Sequence, residues 1–507
     1  MSRTKAFMHN VAAAAGLQIL TMVSGIIIPR LMLVYYGSEI NGLVSSIVQF
    51  ISYFNIVEAG LGGAVIFSLY KPLADRNVAA ISNIVTAAKT LYYRTGVLFS
   101  VLVLLLAIIY PLLVSVTDMG YAQTAILVGI LGINGILDFF VMAKYTTLFT
   151  ADQRLYVISL ASSLQTVLTT LVVYALACQQ VDIVILRGIA VGIIFCKVFV
   201  IKLYAARHYA YIDYDSSEPD FSALSKRWDV LYLRFLNAVQ TATPVVLLTI
   251  LAKDLKLVSV YVVYNMVIAG VNGILGIFMN GLQAGFGEII AKGERETLQR
   301  AYGEFEFMYY NLIGIAYTVT FLSIKPFIRL YTEGITDIDY NVSAIAVLFV
   351  VNALLYNIKT PQGMLVLSAG LYRETRLQTT IQGAIGLLAG AVFILLGYGI
   401  EGVLVGAILS NVFRDCEIPY FISKNVTGLK PGRSYFRMAA TLVIFGIGVN
   451  AGAVYIYDVN SYFEWMLLTV KIVVFAVALF AVCSMMYDFS QTKCVWLRVK
   501  GRLGGER

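Results

Sequence analysis

The chain has 507 residues, of which 59% are hydrophobic and 13% are charged, and its formal net charge is +8. A soluble domain carries about 25% charged residues, so this composition excludes a large soluble domain. Most of the surplus positive charge lies in short loops between apolar segments, where it orients a membrane protein. No nucleic-acid partner is therefore expected.

Fourteen apolar stretches follow one another along almost the whole chain. About 20 apolar residues are long enough to cross a hydrocarbon core of about 30 Å. The first stretch is too long for the apolar region of a signal peptide, and no small-residue cleavage site follows it, so we expect an uncleaved span. The predicted spans are 10–36, 41–70, 89–114, 121–146, 156–178, 182–205, 228–252, 257–287, 302–331, 341–367, 375–398, 401–423, 434–457 and 463–487. The predicted fold class is an all-α polytopic membrane protein with 14 transmembrane helices.

The basic residues of the tails and loops are distributed unequally between the two sides of the membrane. The side that carries both termini holds 25 Lys and Arg residues, whereas the opposite loops hold four: Lys253, Lys256, Lys325 and Arg329. Because positively charged loops stay in the cytoplasm, the sequence predicts that both termini are cytoplasmic.

A polar segment at 208–227 follows the sixth span and is predicted to be a cytoplasmic linker. Features on its two sides recur at an offset of about 217 residues: Tyr92-Tyr93 recurs as Tyr309-Tyr310, Pro29 as Pro244 and Gln165 as Gln382. Six spans separate the copies, so both have the same orientation, as in the parallel repeats of some secondary transporters. We predict an N-terminal lobe at 1–207, a C-terminal lobe at 228–425, and two appended spans with a basic tail at 426–507.

The sequence lacks motifs for enzymatic chemistry and for metal binding. The five cysteines form no CxxC pair, and the two histidines, His9 and His208, both lie near span ends. The HExxH, GxSxG and P-loop motifs are absent as well. We expect neither an enzyme nor a bound cofactor, and transport without ATP is the simpler hypothesis.

Charged residues inside the spans suggest a functional role, because inserting each of them into the membrane costs roughly 2.5–3.5 kcal/mol of free energy on insertion scales. Basic residues outnumber acidic ones there. A hydrated cavity with surplus guanidinium and ammonium groups suits an anion, and arginine binds phosphate through two hydrogen bonds. The candidate substrate-binding residues are Arg30, Arg94, Arg187, Lys197, Arg234, Lys359 and Arg414.

Some of these basic residues also have structural explanations. Arg414 and Glu417 are three residues apart on one helix face, where they could pair with each other. Arg94 could extend from a span end toward the membrane surface. The strongest candidates are those with no acidic residue three or four positions away, namely Arg30, Arg234 and Lys359.

Two acidic residues inside the spans are candidates for coupling transport to an ion. Glu58 lies beside Gly60, Gly62 and Gly63, so a hydrogen bond to a neighbouring backbone is an equally good explanation for it. Asp138 lies in the inner part of the fourth span. Coupling to the membrane potential, to protons or to sodium all stay open.

The first two spans carry a set of motifs that resembles a known family. The motifs are Pro29-Arg30, Tyr36-Gly37, Asn41-Gly42-Leu43, Glu58-Ala59-Gly60-Leu61-Gly62 and Leu69-Tyr70-Lys71-Pro72-Leu73. They resemble the polysaccharide transporters of the multidrug/oligosaccharidyl-lipid/polysaccharide (MOP) exporter superfamily, in particular the Wzx-type flippases. The second half departs from this pattern, since Ala252-Lys253-Asp254 stands where the first half has Tyr36-Gly37.

The resemblance implies two six-helix lobes around a V-shaped central cavity and an alternating-access mechanism. It implies transfer of undecaprenyl-diphosphate-linked oligosaccharide from the inner to the outer leaflet of the bacterial cytoplasmic membrane, for capsule, O-antigen or exopolysaccharide synthesis. The implied partners are this glycolipid, membrane lipids, and the polymerase and glycosyltransferases of the same synthesis. Among the candidate residues, the family motif supports Arg30.

The resulting hypothesis is that the diphosphate moves along basic residues while the polyprenyl tail stays in lipid. Arg94, Arg234 and Lys359 would attract it on the cytoplasmic side. Residues Lys197 and Arg414 would hold it near the middle, and Arg30 and Arg187 would receive it outside. With the cytoplasm negative, outward movement of a dianion gains about 4–5 kcal/mol per 100 mV.

Three alternative functions remain. A drug or metabolite cation antiporter of the same fold would have acidic cavity residues, and 10–36 contains no Asp or Glu. A lipid II flippase differs only in the headgroup that it carries. A membrane-embedded glycosyl polymerase would ordinarily need a large outer loop, and the longest one predicted here, at about 332–340, is too short.

Overall fold

The computed structural model of the chain describes residues 3–55, 59–216, 219–221, 242–279, 282–371, 373–489 and 491. Most of these residues are helical, and the only β geometry among them is an isolated bridge between Val116 and Met119. Helices are what the apolar composition requires, because a backbone in hydrocarbon must satisfy its hydrogen bonds within its own segment. The all-α fold class is therefore confirmed.

The α-helices of the described residues are numbered here in chain order. Those before residue 242 are α1 (Arg3–Phe54), α2 (Ala59–Ala74), α3 (Val78–Leu113), α4 (Tyr121–Leu137), α5 (Ala143–Ala151), α6 (Leu155–Cys178), α7 (Ile183–Gly192) and α8 (Ile194–His208). Those after it are α9 (Leu255–Met279), α10 (Leu282–Ala291), α11 (Arg295–Tyr331), α12 (Ser343–Ile358), α13 (Thr360–Ser368), α14 (Arg376–Leu395), α15 (Gly399–Ile422), α16 (Pro431–Gly452) and α17 (Tyr462–Tyr487). Short π-helical segments follow α4, precede α9 and follow α15.

Helix α1 carries the first predicted span and the beginning of the second in one helical run. Its backbone leaves the helical region at Gly37, where φ is 79° and ψ is 174°, a conformation that glycine adopts without a Cβ clash. The carboxylate of Asp337 accepts hydrogen bonds from the Ser38 backbone nitrogen (2.9 Å) and hydroxyl (2.7 Å). The predicted loop at 37–40 is thus a break of one residue.

Eleven helices of the described chain are long and apolar enough to cross a membrane. One of them, Met8–Phe54, joins the first two predicted spans across the break. Two shorter apolar helices, Leu61–Ala74 and Ala242–Ala252, fall in the second and seventh predicted spans, and most of the seventh lies outside the described residues. Helix α15 has 24 residues but carries several charges. The chain is a multi-pass membrane protein, and the number of fourteen spans stays a prediction.

By compactness the chain divides into two units. The first contains Met1–Val262 and Ile335–Ile338, and the second contains Val263–Gly334 and Asp339–Arg507. The division falls within α9 instead of the predicted linker. Compactness alone does not identify which spans move together, so the predicted lobe boundaries stay a prediction.

Residues 242–262 belong to the first unit because they pack closely on the second part of α1. A Cβ atom at Gly42 would clash with the backbone of Leu255, so only glycine permits this approach. One residue earlier, the Asn41 amide donates a hydrogen bond of 2.7 Å to the Ser259 hydroxyl, and both side chains are buried. The close approach and the buried polar contact together fix the register of the two helices.

Helix α1 also packs along α6 in the first unit, and polar side chains hold the two together. Asn10 accepts a hydrogen bond of 2.8 Å from the Tyr156 backbone nitrogen at the start of α6. About four turns of α1 further on, the hydroxyls of Ser24 and Thr170 lie 2.7 Å apart. These contacts place one face of α6 opposite one face of α1.

In the second unit, a buried ionic cluster attaches the two appended spans to α11. Arg437 of α16 is 2% exposed, and its guanidinium lies 3.1 Å from the Glu306 carboxylate of α11 and 2.6 Å from that of Asp488. Glu306 also accepts hydrogen bonds from the hydroxyl groups of Tyr302 (2.9 Å) and Ser434 (2.6 Å). Removing any one partner would leave a buried charge or polar group unsatisfied.

Candidate substrate-binding site

The structure describes seven of the nine candidate residues. Glu58 and Arg234 lie outside the described residues. Arg30 is partly exposed on α1, one residue after Pro29, and the backbone of α1 stays helical there. Arg94 is exposed on α3, which begins at Val78. The remaining five lie in two groups, one in each unit.

Arg187 lies on the second turn of α7, near the helix end that Asp182 caps. Its Nε atom is buried and has no hydrogen-bond partner among the described residues. The nearby Tyr36 side chain interacts with it electrostatically, but the Tyr36 hydroxyl donates its own hydrogen bond to the Val181 carbonyl (2.5 Å). The guanidinium therefore keeps donor capacity that this part of the chain does not use.

Lys197 of α8 lines a cavity of about 570 Å³ between α1 and α6. No acidic residue of the described chain lines the cavity. Its other polar lining residues carry hydroxyl or amide groups: Thr21, Ser24, Ser162, Gln165, Thr166 and Thr169. This polar lining was not predicted from the sequence, although the spacing of the residues on α6 was a visible signal.

Asp138 provides the nearest described counter-charge to Lys197. It begins the π-helical segment Asp138–Met142, and the two side chains interact electrostatically. Asp138 does not line the cavity itself. Lys197 thus lines the cavity and interacts electrostatically with a carboxylate that does not line it.

Lys359 of the second unit lies at the break between α12 and α13. Its ammonium group donates a hydrogen bond of 2.7 Å to the Asn411 side chain and lies 4.8 Å from the centre of the Tyr356 ring. The Asp415 carboxylate lies 4.0 Å away, on α15. Residue spacing within one helix could not reveal this acid, because Asp415 lies on a different helix from Lys359.

Asp415 differs from the other charged residues of this group. Its residue surface is 9% exposed, and both carboxylate oxygens are buried without a hydrogen-bond partner among the described residues. The adjacent Arg414 forms an ion pair with Glu417. This is the pairing on one helix face that the sequence spacing suggested as a structural explanation for Arg414. Lys359, one of the three basic candidates with no acidic residue three or four positions away, thus has one nearby in the tertiary structure.

Comparisons with known proteins bear on the fold. No protein-family model and no curated protein matches the sequence. Among solved structures, an inward-facing multidrug resistance MATE family transporter of the MOP superfamily has a TM-score of 0.66 at 13% identity, covering 86% of this chain and 99% of that one. This chain has a MATE-like fold.

Two further structures agree. The outward-facing form of a multidrug resistance MATE family transporter of the MOP superfamily has a TM-score of 0.54 at 13% identity, over 85% of this chain and 96% of that one. A crystal structure of MATE in complex with MaL6 has a TM-score of 0.54 at 15% identity, over 85% and 97%. At these identities the likeness is one of fold alone. The fold that the resemblance implies is thereby confirmed, and membership of the MOP superfamily and of its Wzx-type branch stays a prediction.

Proposed function

We propose that the chain is a flippase that moves polyprenyl-diphosphate-linked oligosaccharides from the inner to the outer leaflet of a bacterial cytoplasmic membrane by alternating access. The fold supports a membrane transporter without selecting its cargo. The observation that carries the cargo assignment is the sign of the charge at the first-unit cavity. Lys197 lines it, no described acidic residue does, and the stretch 10–36 of α1 contains no Asp or Glu.

Arg187 supports an anionic cargo through its unused hydrogen-bonding capacity. A buried guanidinium nitrogen without a partner carries a desolvation penalty that a bound anion would relieve. Guanidinium also matches the geometry of phosphate, since two of its N–H groups can bind two phosphate oxygens. In this proposal Arg187 and Lys197 bind the diphosphate at successive stages of its passage.

Lys359 would act differently, because it already has neighbours. A phosphate oxygen that approaches Lys359 competes with the Asn411 side-chain oxygen, which is neutral and is the weaker acceptor. Asp415 would then lose part of its counter-charge. This makes Asp415 a third candidate for ion coupling, in addition to Glu58 and Asp138.

The driving force in this proposal needs no ATP. Outward movement of a dianion with the cytoplasm negative is favourable by about 4–5 kcal/mol per 100 mV. Both termini would be cytoplasmic, and the polysaccharide polymerase and glycosyltransferases would be the functional partners. Genes for such enzymes beside the gene for this chain would support the substrate class.

The direct test is glycolipid transfer by the purified full-length protein in vesicles. A fluorescent polyprenyl-diphosphate disaccharide is placed in both leaflets, and its exposure to an external glycosidase is followed over time. Transfer should require the protein. It should be abolished by Arg30→Ala, Arg234→Ala or Lys359→Ala at unchanged protein level. The matched control is Lys292→Ala, which removes an exposed lysine whose ion pair with Glu288 lies within one helical turn.

A MATE-like cation antiporter is the second candidate, because the solved structures with this fold include multidrug transporters. The same vesicles distinguish the two functions through uptake of a fluorescent organic cation against a proton or sodium gradient. Cation uptake without glycolipid transfer would overturn the flippase proposal. Transfer of lipid II faster than that of the oligosaccharide lipid would instead assign the chain to lipid II.

A further inference from the structure

The face of α6 that lines the first-unit cavity is polar although the helix is predicted to cross the membrane. Its cavity residues are Ser162, Gln165, Thr166 and Thr169, which recur at intervals of three, four and seven positions from Ser162 and so share one helix face. The opposite face is apolar and exposed, with Leu160, Leu164, Leu171 and Tyr174 between 45% and 59% exposed. Helix α6 thus presents its apolar face outward, as expected toward lipid, and its polar face to the cavity.

The polar groups on this face are not used to hold the protein together. The side chains of Thr21, Ser162, Gln165 and Thr169 make no hydrogen bond to any described residue, whereas the neighbouring Ser24 is paired with Thr170. In hydrocarbon an unsatisfied polar group is unfavourable. These side chains therefore require water or a polar ligand in the cavity.

The chemistry of the lining selects among ligands. Hydroxyl and amide side chains both donate and accept hydrogen bonds, as the hydroxyl groups of a sugar do. A binding site for an organic cation would be expected to offer a carboxylate or an aromatic face, and neither is among the described lining residues. The cavity volume of about 570 Å³ lies within the range of about 300–1,000 Å³ for ligand sites.

We propose that this cavity is a carbohydrate subsite, in which Gln165, Thr166 and Thr169 bind hydroxyl groups of the sugar nearest the carrier lipid. This inference rests on the proposed flippase function and adds to it where the glycan is recognised. From residue 162 to residue 169 the polar face extends about 10 Å along the helix. Lys197 lines the same cavity and would supply a positive charge to the diphosphate attached to that sugar.

The experiment compares two ligands on the full-length protein in nanodiscs: a polyprenyl diphosphate, and the same lipid carrying a disaccharide. The variants are Gln165→Leu, Thr166→Val and Thr169→Val, which preserve approximate volume and remove hydrogen-bonding groups. We expect each to weaken binding of the disaccharide lipid by roughly twofold to tenfold, as for the loss of one neutral hydrogen bond. Binding of the sugar-free lipid should be unchanged.

The matched control is Ser163→Ala on the same helix. The Ser163 hydroxyl donates to the Ser159 carbonyl of its own helix (2.9 Å) and does not line the cavity. This variant should bind both lipids as the unmodified protein does. If a cavity variant weakens binding of both lipids equally, or if no cavity variant weakens binding of the disaccharide lipid, the subsite assignment is wrong.

A second measurement does not depend on affinity changes in variants. A single cysteine introduced as Thr169→Cys, in a protein whose native cysteines are replaced by serine, is labelled with a hydrophilic thiol reagent. We expect the disaccharide lipid to slow labelling by at least about tenfold, and the sugar-free lipid to slow it much less. Equal protection by both lipids would place the phosphate, not the sugar, in the cavity. Failure of the unmodified protein to bind either lipid would reject the flippase proposal itself, which is a separate result.

Discussion

The two units place basic residues inside spanning helices in contrasting surroundings. In the first unit, Lys197 lines an open cavity whose hydroxyl and amide groups mostly have no hydrogen-bond partner among the described residues. In the second unit, Lys359 is hydrogen-bonded to Asn411, and Asn411 is bonded in turn to Asn352. The comparison teaches that a basic residue in a span is directly available to a ligand where its neighbours leave it unoccupied, whereas Lys359 must first exchange the Asn411 oxygen for one of the ligand.

The largest effect is expected at the buried ionic cluster of the second unit, which contains Arg437, Glu306 and Asp488. Arg437→Ala leaves Glu306 buried without its cation, which should destabilise the protein by about 3–5 kcal/mol. Thermal unfolding in detergent should show a much lower midpoint, together with lower yield. Lys471→Ala is the control, because this lysine lies 5.5 Å from the Tyr457 ring and has no acidic partner among the described residues. An unchanged midpoint for Arg437→Ala would show that the cluster is not structural.

A double variant separates structural from transport roles at Lys359. Lys359→Ala removes the only described cation within 4.0 Å of the buried Asp415 carboxylate and should cost about 1–3 kcal/mol of stability. Adding Asp415→Asn removes the unpaired charge and should restore most of that stability. Glycolipid transfer should stay low in both variants if Lys359 also binds cargo. If the double variant recovers transfer as well as stability, Lys359 serves only to neutralise the charge of Asp415.

In the open cavity of the first unit, a substitution should lower transfer strongly and change stability little. Lys197→Ala should reduce transfer at least tenfold, equivalent to about 1.4 kcal/mol, with little change in the unfolding midpoint, because Lys197 has no hydrogen bond to lose within the described chain. Lys197→Arg keeps the positive charge and should retain part of the activity. A stability loss as large as that of Arg437→Ala would contradict the comparison between the two units.

The smallest effect is expected at Arg94, which is exposed on α3. A charge near the entrance acts through long-range attraction, which salt at about 0.15 M screens within about 8 Å. Arg94→Ala should therefore slow transfer only a few-fold at low salt and hardly at all at physiological salt. A large effect that does not depend on salt would instead show direct contact with the cargo.

Local features of the sequence were sufficient for the parts of the structure that depend on neighbours along the chain. Apolar runs of membrane-spanning length gave helices, because a bilayer leaves the backbone no other partners. The spacing of Arg414 and Glu417 was sufficient to suggest their ion pair, which the structure shows. The gap predicted after residue 36 corresponds to the break at Gly37, although its minimal length did not follow from hydropathy.

Contacts between distant segments decided the rest. Asp337 holds the amide and hydroxyl of Ser38 from 299 residues away, and Asp415 lies beside Lys359 from another helix. The polar spacing on α6 was present in the sequence, but a cavity exists only because α1 and α8 complete its walls.

The amino-acid sequence by itself thus determined that this is a helical membrane protein with an excess of basic groups inside its spans, since insertion into a bilayer depends on local hydropathy. Only the tertiary structure decided which of those groups is neutralised and which lines open space. The physical reason is that electrostatic and hydrogen-bond satisfaction depends on distance in three dimensions, and residues far apart in sequence supply most of the partners.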